Sequence, residues 1–98
     1  MFYTWDRKTD VITKADRIAD TPLRERVVAA WNNHGVLVST VFLEIDHSFL
    51  GPPLLFETMV FRGRCDGYQR RYHTSKEARL GHERMIEEVR AERRGRKK

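Results

Sequence analysis

Ninety-eight residues suffice for one domain and leave no room for two. With 40% apolar and 34% charged residues the chain reads as a globular domain rather than a disordered one, and no apolar run approaches the ~20 residues of a membrane-spanning helix. The net charge of +5 sits entirely on residues 90–98, where six basic groups face the single acid Glu92, while the first 89 residues carry 13 basic and 13 acidic groups.

The opening MFYTWDRKTD lacks a basic region followed by an apolar one, so no signal peptide is expected. Phe2 to Trp5 is aromatic and β-prone, Asp6 to Asp10 reads as a turn, and Val11-Ile12 as a return strand. Thr13 then caps a short helix expected through Ala19, with Asp16 in its first turn, and Thr21-Pro22 ends that segment. Arg26 to Trp31 is a candidate strand. Asn32-Asn33-His34-Gly35 is turn chemistry, because asparagine and glycine tolerate positive φ.

Val36 to Asp46 (VLVSTVFLEID) is rich in β-branched and aromatic residues and predicts a strand. Leu37, Val41, Leu43 and Ile45 share one face with Ser39, and this face is expected to lie under the helix. Val38, Thr40, Phe42, Glu44 and Asp46 share the other, expected to be half covered. Pro52-Pro53 closes a loop, and Leu54 to Arg62 is a third strand. After a turn over Gly63 to Gly67, Tyr68 to His73 alternates aromatic and charged residues, as an edge strand with one wet face does.

Thr74-Ser75-Lys76-Glu77 is a capping box that starts a helix within about two residues of Thr74. Ala78, His82, Met85, Ile86 and Val89 fall on one apolar face at helical spacing. Gly81 inside this helix costs about 1 kcal/mol relative to alanine, which a close approach to the sheet explains. Residues 90–93 extend the helix, Gly95 ends it, and nothing is expected to hold Arg90 to Lys98 against the body. These elements predict an α+β fold: an antiparallel β-meander of three to four strands with a C-terminal α-helix packed on one face. The single domain is placed at 1–89, with a basic C-terminal extension at 90–98.

Three groups of side chains carry candidate chemistry. Asp46 and His47, with Glu44 beside them and Glu57 on the next strand, supply carboxylate and imidazole near the loop from Phe49 to Pro53. Either they bind a polar ligand, or Asp46 and Ser48 hydrogen-bond the loop backbone. Glu57, flanked by apolar residues, either recognises a ligand or pairs with Arg70 or Arg71 of the neighbouring strand. Tyr68, Arg70 and Arg71 interleave aromatic and cationic groups. With Arg90, Arg93, Arg94, Arg96, Lys97 and Lys98 of the tail they are candidates for nucleic-acid binding, although an edge strand produces the same alternation.

Cys65 is the only cysteine, which excludes an internal disulfide and suits a reducing compartment. His34, His47, Cys65, His73 and His82 show no metal-ligand spacing, so no metal or other cofactor is expected. Gly63 to Gly67 has turn spacing and not that of a nucleotide loop, and no nucleophile motif stands out, so catalysis is not expected.

The segments VSTVFLEIDHS (Val38–Ser48), GPPLLFETMVF (Gly51–Phe61) and RYHTSKEARLGHE (Arg71–Glu83) resemble a family of small bacteriophage and prophage proteins. That family shares the arrangement VSTVxLGxDHxF…GPPLxFETMVF…YxTxxEAxxGHE. Glu44 stands where the family carries glycine, and the loop from Phe49 to Gly51 is shorter than the family's glycine-rich form. The resemblance brings no functional residues. It implies a context: a phage or prophage accessory protein acting in the cytoplasm of a host bacterium. With the small size and the lack of a catalytic set, this makes a non-enzymatic protein that binds a host bacterial protein the leading expectation, with monomer and dimer both open. Two alternatives stand beside this: a nucleic-acid binder using the tail and the Tyr68–Tyr72 strand, and a sponge-like module for a small molecule or nucleotide.

Overall fold

The first strand, β1 (Phe2–Asp6), turns back through residues 7–10 into β2 (Val11–Ala15). The Asp6 carboxylate holds this turn by accepting the Lys8 amide at 2.9 Å. The helix expected over residues 13–19 does not form, because Thr13 and Ala15 pair with Thr4 and Phe2 across the hairpin. That segment has helix-compatible residues but no apolar stripe, so pairing with an aromatic strand overrides its weak local preference. The computed structural model describes residues 1–46, 48 and 50–95, with side chains through Arg93. His47 and the tail side chains of Arg94, Arg96, Lys97 and Lys98 lie outside the described residues.

After Pro22 the chain makes a single helical turn, α1 (Leu23–Arg26), and enters β3 (Val27–Asn33). A two-residue turn follows, with His34 at φ 53° and Gly35 at φ 79°. Two positive φ values in succession match the twist of a tight hairpin, which explains the histidine–glycine pair here. β4 (Val36–Phe42), β5 (Phe56–Phe61) and β6 (Gln69–Tyr72) complete a four-stranded antiparallel meander in the order β3-β4-β5-β6. β6 is an edge strand, as its alternation predicts. β4 stops short of Asp46 because Glu44 adopts φ 63°, a left-handed conformation that no strand continues. There the Glu44 carbonyl accepts the Tyr3 amide at 2.8 Å and Phe2 bridges to Ile45, which docks the small hairpin onto the end of the sheet.

α2 (Ser75–Gly95) opens with the expected cap. The Thr74 hydroxyl accepts the Glu77 amide at 3.1 Å, and the Glu77 carboxylate reaches back to the His73 amide at 3.0 Å. Ala78, His82, Met85, Ile86 and Val89 are all buried against the sheet. The α+β class therefore holds: a meander with one long helix across it, plus a two-stranded hairpin at its end.

The face assignment of β4 is the reverse of the expectation. Val36, Val38, Thr40 and Phe42 are buried under α2, whereas Leu37, Ser39 and Val41 are only half-buried on the other side. Both faces of this strand are apolar enough to make a core, so pattern alone does not choose. The choice is made by partners remote in sequence. The Thr40 hydroxyl lies 2.5 Å from that of Thr58 and 2.7 Å from His82 Nδ1, and all three side chains are buried. This satisfied polar chain lets Thr40 face the core. It separates two apolar clusters. One gathers Val36, Val38, Val60, Met85, Ile86 and Val89 at the turn end of the sheet. The other gathers Tyr3, Phe42, Leu55, Phe56 and Ala78 beside the hairpin. Trp5 carries the hairpin into the second cluster, edge-on to Phe56 at 5.4 Å and 5.7 Å from Phe42.

Candidate functional site

One side of the meander lies under α2, and the other is open. Strand register puts Leu37, Ser39 and Val41 of β4 beside Phe61, Met59 and Glu57 of β5 on this open face. Together with Leu23 from α1 and Asn32 from β3 they line a depression of about 720 Å³, with Arg62 and Asp66 also contributing to its wall. Phe61 is 42% exposed and Leu23 57% exposed. Apolar side chains at the centre with polar ones around them are the composition of a protein-binding patch.

Glu57 belongs to this face, and its ion pair is the one its sequence position suggests. Arg71 stands directly opposite it on β6, with Nε 3.1 Å from Glu57 Oε2. The pair is half-buried and leaves acid and base side by side at the edge of the depression. Arg70, one residue away, points to the other face and chelates Glu88 of α2 through both guanidinium nitrogens. That hydrogen bond raises the already high pKa of Arg70. The two strand arginines thus serve opposite faces, each with its own carboxylate, while Tyr68 before them is exposed.

Asp46 is not near Glu57. It lies beyond the last paired residues of β4 and β5, whereas Glu57 sits opposite Val41. Its Oδ1 accepts the Ser48 amide at 2.8 Å, the Ser48 hydroxyl at 2.7 Å and the Leu54 amide at 3.1 Å. The Ser48 amide and hydroxyl, then Leu54 and the N-terminal charge, hold this carboxyl below its ordinary pKa of 3.8. It closes the loop as an acceptor. Among the described residues no three or more His, Cys, Asp and Glu side chains gather as a metal-ligand group.

Glu44 is a second acidic residue engaged in structure. It is 4% exposed, accepts the Thr21 amide at 3.2 Å, and lies 4.0 Å from Arg26 Nε. Arg26 also donates to the carbonyls of Thr21 and Phe42 at 2.9 Å each, which ties the segment before α1 to the end of β4.

The tail expectation needs one correction. Arg90 is held against the body: its guanidinium lies 5.6 Å from the ring centre of Trp31 and 3.7 Å from Glu87. The cause is that α2 overlies β3 as well as the central strands, so the first residue past Val89 still meets an aromatic side chain. No helix among the described residues is long and apolar enough to cross a membrane. No family model, curated protein or solved structure matches this chain.

The open-face residues escaped the sequence reading because Leu37 and Val41 look like core. The available signal was the facing pair Glu57 and Arg71, since an ion pair sits more easily on a partly open sheet face than under a helix.

Proposed function

We propose that this chain is a non-enzymatic binding protein that docks a host bacterial protein on the open face of its sheet, in the cytoplasmic phage or prophage setting that its sequence resemblance implies. The observation that carries the reading is the half-exposed apolar centre formed by Leu37, Val41, Met59 and Phe61, rimmed by Glu57, Arg71, Arg62 and Asp66. The acidic side chains nearest to it, Glu57 and Asp66, are already engaged with Arg71 and with the Arg62 amide. That favours recognition over acid–base chemistry. The left-handed Glu44, at a position where the resembled family carries glycine, supports a shared backbone in that segment.

The test pairs wild type with Met59→Asp, which places a charge at the centre of the face without touching the helix-covered core. A photo-reactive side chain at position 61 is used to crosslink the partner in bacterial lysate. A discrete crosslinked protein that disappears with Met59→Asp is the expected result. Equal crosslinking by both proteins, or none above background, refutes the assignment.

A further inference from the structure

A second surface meets the open face at Arg62 and Asp66 but is carried by other residues. We propose that the end of the molecule where α2 leaves the sheet binds the phosphate backbone of a single-stranded nucleic acid, held between the β5–β6 turn and the last turns of α2. Val89 packs in one cluster with Val36 and Cys65, so the C-terminal part of α2 passes beside both hairpin turns of the meander. Arg64 immediately precedes Cys65, and Arg62 reaches across to the Gly35 carbonyl of the neighbouring turn. Arg93 stands one helical turn beyond Val89 on the same side of α2. Arg64 and Arg93 are exposed and form no ion pair among the described residues.

Three acids at this end are already engaged. Asp66 accepts the Arg62 amide, Glu87 lies beside Arg90, and Glu88 is chelated by Arg70. The sequence continues directly into Arg94, Arg96, Lys97 and Lys98. Since the first 89 residues are neutral in sum, the whole net charge of +5 belongs to the sequence from Arg90 onward.

Arginine from two separate elements matches spaced phosphates, and guanidinium forks bind phosphate oxygens bidentately. Tyr68 adds an aromatic face. It is 43% exposed, and its amide bonds the Cys65 carbonyl at 2.9 Å, which places it on the same turn as Arg64. A stacking ring beside arginines favours a nucleic acid with unpaired bases over a lipid surface. The site differs from the one the sequence suggests. Arg70 and Arg71 leave it because each has its own carboxylate, and Arg64 enters it.

The test is fluorescence anisotropy of full-length protein with labelled single-stranded DNA and RNA over a salt series. Affinity is expected to fall steeply with salt. Arg64→Ala is expected to reduce the log–log salt slope by about 0.7, the loss of one single-strand phosphate contact. Tyr68→Ser is expected to lower affinity roughly tenfold at fixed salt with the slope kept. Met59→Asp, at the centre of the open face, leaves both unchanged, which separates this surface from the open face. The proposal is overturned if nothing binds at low salt. It is equally overturned if Arg64→Ala changes nothing while replacing Arg94, Arg96, Lys97 and Lys98 by glutamine abolishes binding, since the tail alone is then a free polycation. Anionic vesicles that displace the nucleic acid at equal phosphate also overturn it, in favour of a membrane surface.

Discussion

The ring of Tyr72 occupies the space where a Cβ on Gly81 would stand. A Cβ built there lies 2.2 Å from both Cζ and Oη of the tyrosine. This is the reason for a glycine in the middle of a long helix. Exposed glycine-to-alanine changes in helices stabilise by about 1 kcal/mol. At Gly81 the sign reverses, because the alanine methyl must expel a half-buried ring that packs on the cluster beside the hairpin. Gly81→Ala is expected to destabilise by about 1–3 kcal/mol, the range for overpacking. A double-mutant cycle with Tyr72→Ala checks the cause: the Gly81→Ala penalty should vanish when the ring is absent. The Tyr72 hydroxyl is buried with no hydrogen-bond partner among the described residues. Tyr72→Phe should therefore be neutral or slightly stabilising by urea denaturation.

The polar chain across the core gives a second prediction. Thr40 sits between Thr58 and His82, and one arrangement satisfies all three: Thr58 donates to Thr40, and Thr40 donates to His82 Nδ1. Thr40→Val keeps the shape and leaves a buried hydroxyl and a buried ring nitrogen unpaired. The expected cost is about 2 kcal/mol, within the range for buried groups that lose their partner. A loss no larger than that of an exposed threonine, measured with Thr13→Val, would show that the chain contributes nothing.

The same histidine sets a pH dependence. Burial depresses the His82 pKa below 6.5, opposed by the nearby charge of Glu83. A depressed folded value means that the unfolded chain binds the proton more readily. Stability is therefore complete above the unfolded value near 6.5 and falls as pH drops below it, until the folded ring also protonates. The slope for one proton reaches about 1.4 kcal/mol per pH unit. Asp10 and Asp46 do not confuse this window. Their carboxyls are held below 3.8, Asp10 chiefly by the Ser75 hydroxyl and the Trp5 indole, and Asp46 chiefly by Ser48. Their contributions are lost only in stronger acid. Melting temperatures from pH 7.5 to 5 should fall in wild type and stay flatter in His82→Gln. Parallel curves for the two proteins would assign the acid loss elsewhere.

The fold was legible wherever the deciding interaction was local. The Thr74–Glu77 cap, the His34-Gly35 turn and the α2 stripe all depend on residues within one or two turns of each other. The faces of β4 were not, because the Thr40 hydroxyl is matched by Thr58 and His82, 18 and 42 residues away. The short helix read into residues 13–19 failed for the same reason: its competitor was the strand at Phe2–Asp6. Of the candidate site, the Glu57–Arg71 pair was readable from charge and strand spacing. The depression beside it was not, since an open apolar face and a covered one have the same alternation. That Val36, Cys65 and Val89 share one cluster needed the path of α2, which no local pattern encodes.

The final prediction concerns where the folded body ends. The charge pattern divides the chain after Val89, but Arg90 covers the Trp31 ring at 5.6 Å. An exposed cation–π contact contributes about 0.5–1 kcal/mol. Residues beyond it continue α2 to Gly95, and Arg93 is exposed. Truncation after Arg93 is therefore expected to leave unfolding free energy unchanged within about 0.5 kcal/mol, as for surface changes that touch no core. Truncation after Val89 is expected to cost about 1 kcal/mol and to raise the solvent exposure of Trp31. Its fluorescence reports this directly once Trp5, which lies in the other cluster, is replaced by phenylalanine. Equal stability of both truncations, with an unchanged Trp31 signal, would place the boundary at Val89 and make the Arg90 contact incidental. A larger loss from the truncation after Arg93 would instead show that the basic end packs on the body.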